Sequence, residues 1–237
     1  MNGIFVTGTD TDAGKTKVSA IIIESLVRNG LNAVGLKPIA SGFENIDGQW
    51  LNADVQALTQ ASNVDLPSER INRYAFRPAV APHIAAKQAG QLLDFNLIAD
   101  DVSYAAKQAD VVLVEGVGGW HVPLESFSGS ENGKVNDIES LAVSLNLPVV
   151  LVVGLRLGCL NHAILTVNAI IQSGAPLLGW VANHIDPDFD CFEDNLATLE
   201  ALLPVPKLFD VPFIEQNASF DAHQVDKSEL IQRFCTR

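Results

Sequence analysis

The chain has 237 residues, of which 48% are apolar and 18% charged, and its formal net charge is −13. These values are typical of a folded protein with a sizeable core rather than of a disordered chain. A duplex DNA partner is not expected, since DNA affinity depends on Lys and Arg neutralising phosphates. Three scattered cysteines without a C-x-x-C pair indicate neither a disulfide framework nor a zinc site.

Targeting signals do not stand out in the sequence. The N-terminus runs directly into a strand pattern instead of a signal peptide, and no apolar run is long enough to cross a bilayer. We therefore expect a cytoplasmic protein with no membrane partner and no nucleic-acid partner.

Apolar runs alternate with helix-period patterns along the chain. The predicted strands are residues 4–7, 33–37, 111–115, 149–153, 177–183 and 207–210. The predicted helices are residues 14–28, 53–62, 83–89, 96–108, 137–145, 160–173 and 192–202. This alternation predicts an α/β fold in one domain over residues 1–237, with a mostly parallel sheet and helices on both faces. The Ser/Gly/Asn-rich residues 126–134 are predicted to form a mobile loop, to which we assign no role.

A glycine-bounded loop joins the first predicted strand to the first predicted helix. Gly8 begins the loop, and Gly14, Lys15 and Thr16 end it with the Gly-Lys-Thr core of a phosphate-binding P-loop. Five residues separate the two glycines, one more than the usual pattern. Backbone N–H groups would bind phosphates, Lys15 would reach the outer phosphates and Thr16 would ligate Mg²⁺. A chance Gly-Lys-Thr in a surface turn is the alternative. The residues of this segment expected to contact the nucleotide are Asp12, Ala13, Gly14, Lys15, Thr16 and Lys17.

Charged side chains end two further predicted strands. Lys37 precedes a proline, which favours extended backbone, so this lysine is expected to point from a strand end toward the phosphates. Glu115 follows four apolar residues, as in the second metal-binding motif of P-loop enzymes, and would bind Mg²⁺. Considered alone, Lys37 is more often a solvated edge lysine, and Glu115 is also consistent with a buried strand terminus followed by a flexible turn. Asp54, which opens a helix, taken alone is most often a charge that favours the helix N-terminus.

Two asparagines complete the candidates. Asn183 ends a predicted strand, and its amide could pair with an adenine edge, although turn asparagines are common. Asn161 opens a helix whose free N–H groups would suit a carboxylate, and a simple helix cap is the competing explanation.

Taken together, these motifs resemble those of the dethiobiotin synthetase family. The matching stretches are VTGTDT with GKT in residues 6–16, KP with ASG in 37–42, VEG with GGW in 114–120, LGC with NH in 157–162, and GWVAN in 179–183. The five-residue spacing in the P-loop is usual in this family. The stretches span nearly the whole chain, and their combination is far more specific than the P-loop alone.

The resemblance implies a reaction and a set of cofactors. The implied reaction is the ATP- and Mg²⁺-dependent closure of a ureido ring on 7,8-diaminononanoate with CO₂, through a carbamate and a carbamic–phosphoric anhydride. In this family the catalytic lysines would be Lys37 and Lys15, and the Mg²⁺ ligands would be Thr16, Asp54 and Glu115.

The resemblance also implies where the substrates bind. Ser41 would position the diamine, and the segment Gly116, Val117 and Gly118 would position the diamine and nucleotide. The adenine pocket would be formed by Asn183, Pro212, Phe213 and Ile214. Asn161 would bind the distal carboxylate of a substrate held by the other subunit, so a homodimer is implied.

Two other protein classes share parts of this pattern. Partition and septum-site ATPases carry a second lysine five residues before the lysine of Gly-Lys, where this chain has Asp10. They also bind DNA or membranes, which the charge of −13 argues against. Amidotransferase-linked synthetases usually add a domain with a nucleophilic cysteine, for which 237 residues leave no room.

Overall fold

The computed structural model describes residues 2–125, 136–214, 225 and 228–235. The loop predicted at residues 126–134 lies outside this part of the chain. The strands of the described residues are β1 (Gly3–Gly8), β2 (Ala33–Leu36), β3 (Ile39–Ser41), β4 (Glu44–Ile46), β5 (Gln49–Leu51), β6 (Tyr74–Phe76), β7 (Val111–Glu115), β8 (Val149–Leu155), β9 (Leu177–His184) and β10 (Lys207–Val211). Its helices are α1 (Lys15–Arg28), α2 (Ala53–Ala61), α3 (Ser68–Ile71), α4 (Pro82–Ala89), α5 (Phe95–Ala105), α6 (Ile138–Leu145), α7 (Cys159–Ser173), α8 (Phe192–Leu202) and α9 (Glu229–Cys235).

Six strands form the central sheet in the order β10-β9-β8-β1-β7-β2, and every pair is parallel. From β1 the chain first builds β2 and β7 on one side and then β8 to β10 on the other. The strand order therefore reverses at β1, and the crevice beyond the carboxyl end of β1 is where sheets of this type bind ligands. The P-loop begins at that point.

Neighbouring residues of each central strand point to opposite faces, and both faces are covered. Phe5 packs on the face that carries α5 to α8, while Val6 packs on the face that carries α1, α2 and α9. Strands buried on both sides show as continuous apolar runs in the sequence, which explains why β1, β2, β7 and β8 could be predicted from it. The predicted sheet class and the helices on both faces are confirmed.

The short elements beside the sheet were not predicted. Strands β3 and β6 form a parallel pair, and β4 and β5 form an exposed hairpin. Three-residue strands are too short to show a periodicity. The sequence does contain one signal for the hairpin, the dipeptide Asp47-Gly48. Asp-Gly favours a type I′ turn, and the φ values of 51° and 84° at these residues are the two positive angles of such a turn.

The second predicted strand is one residue too long. Strand β2 ends at Leu36, so Lys37 begins the connection to β3, where its N–H donates to Ile71 O over 2.9 Å. Among the helices of the described residues, none combines the length and apolar character needed to cross a bilayer.

Candidate active site

The P-loop is held in place by its glycine and by neighbouring strands. Gly14 has a φ of 83° and directly precedes α1, and a Cβ there would lie 2.0 Å from Asn183 Nδ2. Glycine is therefore required both by the left-handed backbone and by the close approach. Thr9 N–H donates to Val152 O of β8 over 3.0 Å, which fixes the loop beside that strand.

Lys15 folds back over the loop that precedes it. Its ammonium donates to Asp10 O over 2.8 Å and to Thr11 O over 3.1 Å. Burial, and then the nearby charge of Lys37, lower the pKa of Lys15 from 10.5 to about 8. Lys15 therefore lies against the loop, and its surroundings only partly compensate its positive charge. Such a charge is expected of a lysine that binds an anionic ligand.

A cluster of charged and polar groups joins four separate parts of the chain. Lys37, only 3% exposed, donates to Glu115 Oε1 over 2.5 Å and to Gly116 O over 3.1 Å, and it lies 3.1 Å from Asp54 Oδ2. Thr16 donates to the same Glu115 oxygen over 2.8 Å. The sheet order explains the meeting, since β7 lies between β1 and β2 and Glu115 pairs in register with Val6.

These contacts keep the cluster charged. Burial favours the neutral amine of Lys37, but Glu115 and Asp54 outweigh burial and raise its pKa. Burial likewise favours a protonated Asp54, yet the nearby charge of Lys37 lowers the pKa of this carboxyl group. The buried ammonium of Lys37 is therefore held by ion pairs with both Asp54 and Glu115.

The same cluster has the chemistry of a magnesium site. Glu115 Oε2 is buried and has no hydrogen-bond partner in the described part of the chain, and the Asp54 carboxylate and Thr16 hydroxyl are its neighbours. Mg²⁺ typically takes one or two carboxylates and fills its remaining positions with water and phosphate oxygens. No group of three or more His, Cys, Asp or Glu side chains suited to a metal occurs in residues 2–125, 136–214, 225 and 228–235. Thr16, Asp54 and Glu115 therefore fit an ion that a triphosphate would help to hold.

A cavity of about 690 Å³ opens over the P-loop. One wall carries charged and polar groups, and the opposite wall is apolar. Its lining comprises Thr11, Asp12, Gly14, Lys15, Thr16, Lys37, Ser41, Asp54, Ala79, Val80, Ala81, Pro82, Val117, Gly118 and Val122. Such a cavity suits a ligand that is anionic at one end and aliphatic at the other.

The hairpin borders a smaller cavity of about 280 Å³, which shares Ser41 and Asp54 with the first. Asn52 connects these two residues: its side chain caps α2, just before Asp54, and donates to Ser41 O over 3.0 Å. Sequence reasoning missed Asn52, although an asparagine before a helical pattern is an N-cap signal. It also missed the apolar wall at 79–82, where Pro82 begins α4.

Not every predicted site residue lines the main cavity. Those that do are Asp12, Gly14, Lys15, Thr16, Lys37, Ser41, Asp54, Val117 and Gly118. Those that do not are Ala13, Lys17, Glu115, Gly116, Asn161, Asn183, Pro212, Phe213 and Ile214. Glu115 and Gly116 still contact Lys37 from beneath it. Lys17 lies on α1 with its side chain half-buried, and burial lowers its pKa.

The predicted adenine and carboxylate residues are not part of the cavity lining. Asn183 is buried below the P-loop and donates to Ala13 O over 2.8 Å, while its Oδ1 is buried without a partner among the described residues. Phe213 follows β10, and its ring centroid is 6.1 Å from that of His184. Asn161 is exposed on the first turn of α7. The structure thus brings Asn183 to the P-loop but leaves Asn161 outside the cavity of its own chain.

A glycine loop between β1 and α1, at the point where a parallel sheet reverses its strand order, defines a P-loop nucleotide-binding protein. Solved structures agree with this fold. The MinC:MinD cell division complex of Aquifex aeolicus matches with a TM-score of 0.55 at 14% identity, over 91% of this chain and 83% of that chain. A ParA family ATPase of Chlorobium tepidum matches with a TM-score of 0.52 at 13% identity, over 90% and 85%. At these identities the likeness shows the fold alone.

Sequence comparison narrows the class to one family. The model of a family described as an AAA domain matches residues 2–219. The chain is 43% identical over 219 residues to the ATP-dependent dethiobiotin synthetase BioD of Nitrosospira multiformis, and the match covers 92% of each protein. The chain belongs to the dethiobiotin synthetase family. The resemblance inferred from the motifs, and the class of ATP-dependent ligase of biotin biosynthesis that it implies, are thereby confirmed.

Proposed function

We propose that this chain, as one domain over residues 1–237, closes the ureido ring of dethiobiotin from 7,8-diaminononanoate, CO₂ and ATP. One amine adds CO₂ and loses a proton to form a carbamate, whose oxygen takes the γ-phosphoryl group of ATP and releases ADP. The second amine attacks the carbonyl carbon of the resulting anhydride and loses a proton, and the departure of phosphate closes the ring. The observation that carries the proposal is the buried Lys37 ammonium, which lies beside the P-loop in a cavity with an apolar far wall.

Lys37 and Lys15 would supply positive charge where the reaction develops negative charge. The carbamate and the transferred phosphoryl group are both anionic, and phosphoryl transfer depends mainly on positioning and charge stabilisation. Lys37 is held by Glu115 and Asp54, so its charge is fixed before substrates arrive. Lys15 extends from the loop itself and would bind the outer phosphates.

The remaining polar groups would bind the nucleotide and its ion. Thr16, Asp54 and Glu115 would hold Mg²⁺, which supplies charge neutralisation on the phosphates when bound. The P-loop from Asp12 to Lys17 would hold the phosphates, and Gly116, Val117 and Gly118 would approach the nucleotide and diamine. Asn183, Pro212, Phe213 and Ile214 would surround the adenine.

Replacing Glu115 by glutamine is expected to raise the Mg²⁺ concentration for half-maximal activity at least about tenfold. The amide keeps the side-chain volume but loses the charge that a hard cation prefers. Mg²⁺ titration of product formation measures the effect, and Glu24→Gln, an exposed position on α1, serves as the matched control. An unchanged Mg²⁺ requirement would remove Glu115 from the ligand set.

The diamine has an apolar chain and a carboxylate to place. Ser41 Oγ is buried with no partner among the described residues, and it lines the cavity near Lys37, where it would bind an amine. The aliphatic chain would lie along the wall formed by Ala79, Val80 and Pro82. Asn161 of the partner subunit would bind the carboxylate in a homodimer.

The exposed face of α7 supports that dimer. Leu165 is 60% exposed and lies four residues after Asn161 on α7, and Leu157, which is 90% exposed, lies in the turn just before the helix. Residues four apart share one helix face, so an apolar contact there would present Asn161 to a second copy.

Leu165→Glu is expected to convert the dimer to a monomer in light scattering and to raise the KM for the diamine. A charge would be buried without a partner at the contact, whereas the affinity for ATP should stay within about twofold, because the P-loop lies in one chain. Leu92→Glu, at a leucine outside α7 that is 90% exposed, is the control. A variant that stays dimeric would show that α7 does not form the contact.

A product assay tests the proposed function as a whole. The purified protein should form a cyclic urea only when the diamine, bicarbonate, Mg²⁺ and ATP are all present. ATP hydrolysis that is independent of the diamine would instead favour a nucleotide switch of the partition or septum-site type. The proposal includes a cytoplasmic location and small-molecule substrates, with neither nucleic acid nor a membrane as partner, and the charge of −13 supports it.

A further inference from the structure

We propose that Arg156, which follows the carboxyl end of β8, positions the P-loop for the nucleotide by holding the carboxylate of Asp10. The guanidinium of Arg156 forms an ion pair and hydrogen bond with Asp10 Oδ2. The two residues are 146 positions apart in the chain, and no sequence motif connects them. This inference depends on the proposed function only in requiring that the P-loop binds ATP.

Asp10 is the residue through which Arg156 acts on the loop. Its Oδ1 accepts the N–H of Thr11 over 2.8 Å, and its backbone carbonyl accepts the ammonium of Lys15 over 2.8 Å. The side chain and the carbonyl of one residue therefore set both the turn of the loop and the position of Lys15. A contact that fixes Asp10 thereby also restrains Lys15.

Arg156 is itself attached to a rigid support. Its carbonyl accepts the N–H of Cys159, the first residue of α7, over 3.0 Å. Two positions before it, a Cβ on Gly154 would lie 3.0 Å from Ala13 Cα, which shows how closely the end of β8 approaches the P-loop. The guanidinium thus extends from a fixed backbone toward an adjacent loop.

The pair also changes the charge that a triphosphate would meet. Asp10 without its partner would place an uncompensated carboxylate in a loop that binds an anion, and the repulsion would weaken binding. Both side chains are about two-fifths exposed, and ion pairs with such exposure contribute little to the stability of a fold. The contribution of Arg156 is therefore expected in nucleotide binding rather than in thermal stability.

The test measures the affinity for a non-hydrolysable ATP analogue with Mg²⁺ by calorimetry, together with kcat, the KM for ATP and Tm. Arg156→Ala is expected to raise the Kd and the KM for ATP about tenfold, with kcat within about twofold. Tm should move by less than about 2 °C, in keeping with the small stability contribution of an exposed pair. Arg156→Lys should recover most of the lost affinity, and Arg233→Ala, an exposed arginine on α9, should behave as the wild type.

A double-variant comparison separates this role from general support of the fold. In an Asp10→Asn background, Arg156→Ala should cost less than about twofold, because no unpaired carboxylate remains. The inference is wrong if Arg156→Ala leaves the Kd unchanged, or if it raises the Kd equally in both backgrounds. A wild-type protein that does not bind the analogue would instead refute the proposed function.

Discussion

Lys37→Met is expected to lower the rate of dethiobiotin formation at least about a hundredfold, while the affinity for ATP stays within about threefold. Methionine fills a similar volume but cannot stabilise the carbamate or the transferred phosphoryl group, and removal of one such charge typically costs two to three orders of magnitude. ATP binding would persist because Lys15 and the loop N–H groups remain. Product formation under saturating ATP, with separate calorimetry of ATP binding, measures both quantities.

The Lys37 experiment needs two controls. Lys107→Met removes an exposed lysine from the surface and should leave both quantities unchanged. Thermal melting should accompany the assay, since removing one partner of a buried ion pair costs about 3–5 kcal/mol and could unfold part of the sample. If the variant lost ATP affinity but kept its rate per bound ATP, Lys37 would be a nucleotide-binding residue instead.

Gly14→Ala is expected to weaken ATP binding at least about a hundredfold. The left-handed backbone at this position costs an alanine about 1–2 kcal/mol. The larger effect comes from the clash, because the new Cβ would lie 2.0 Å from Asn183 Nδ2 and must displace either the loop or the asparagine. Titration with ATP, monitored by calorimetry, gives the change in Kd.

The chain contains a matched control for the backbone strain. Gly30 has the same φ of 83°, and nothing lies within 4 Å of a Cβ built there. Gly30→Ala should therefore lower the stability by a similar strain but leave the Kd for ATP unchanged. Adding Asn183→Ala to Gly14→Ala should recover part of the affinity relative to Gly14→Ala alone. Wild-type affinity in Gly14→Ala would show that the clash is absorbed without moving the P-loop.

Much of the architecture could be predicted from local patterns. Strands β1, β2, β7 and β8 are buried along their whole length and therefore show as apolar runs in the sequence, and the major helices alternate with the strands. The P-loop could be predicted as well, because its chemistry depends on residues close together in the chain, here Gly8, Gly14, Lys15 and Thr16. The short strands β3 to β6 could not be predicted, because each of their pairings involves only three residues per strand.

The sheet class, the P-loop and the family could be predicted without the fold, since each depends on contiguous residues or on motifs of fixed spacing. The pairing of the buried Lys37 with both Glu115 and Asp54, the contact of Asn183 with Ala13 and the contact of Arg156 with Asp10 become visible in the folded chain alone. They could not be predicted because it is the order of the strands that brings these residues together. The placement of β7 between β1 and β2, and of β8 on the other side of β1, follows from packing across the whole sheet, which no local pattern of residues records.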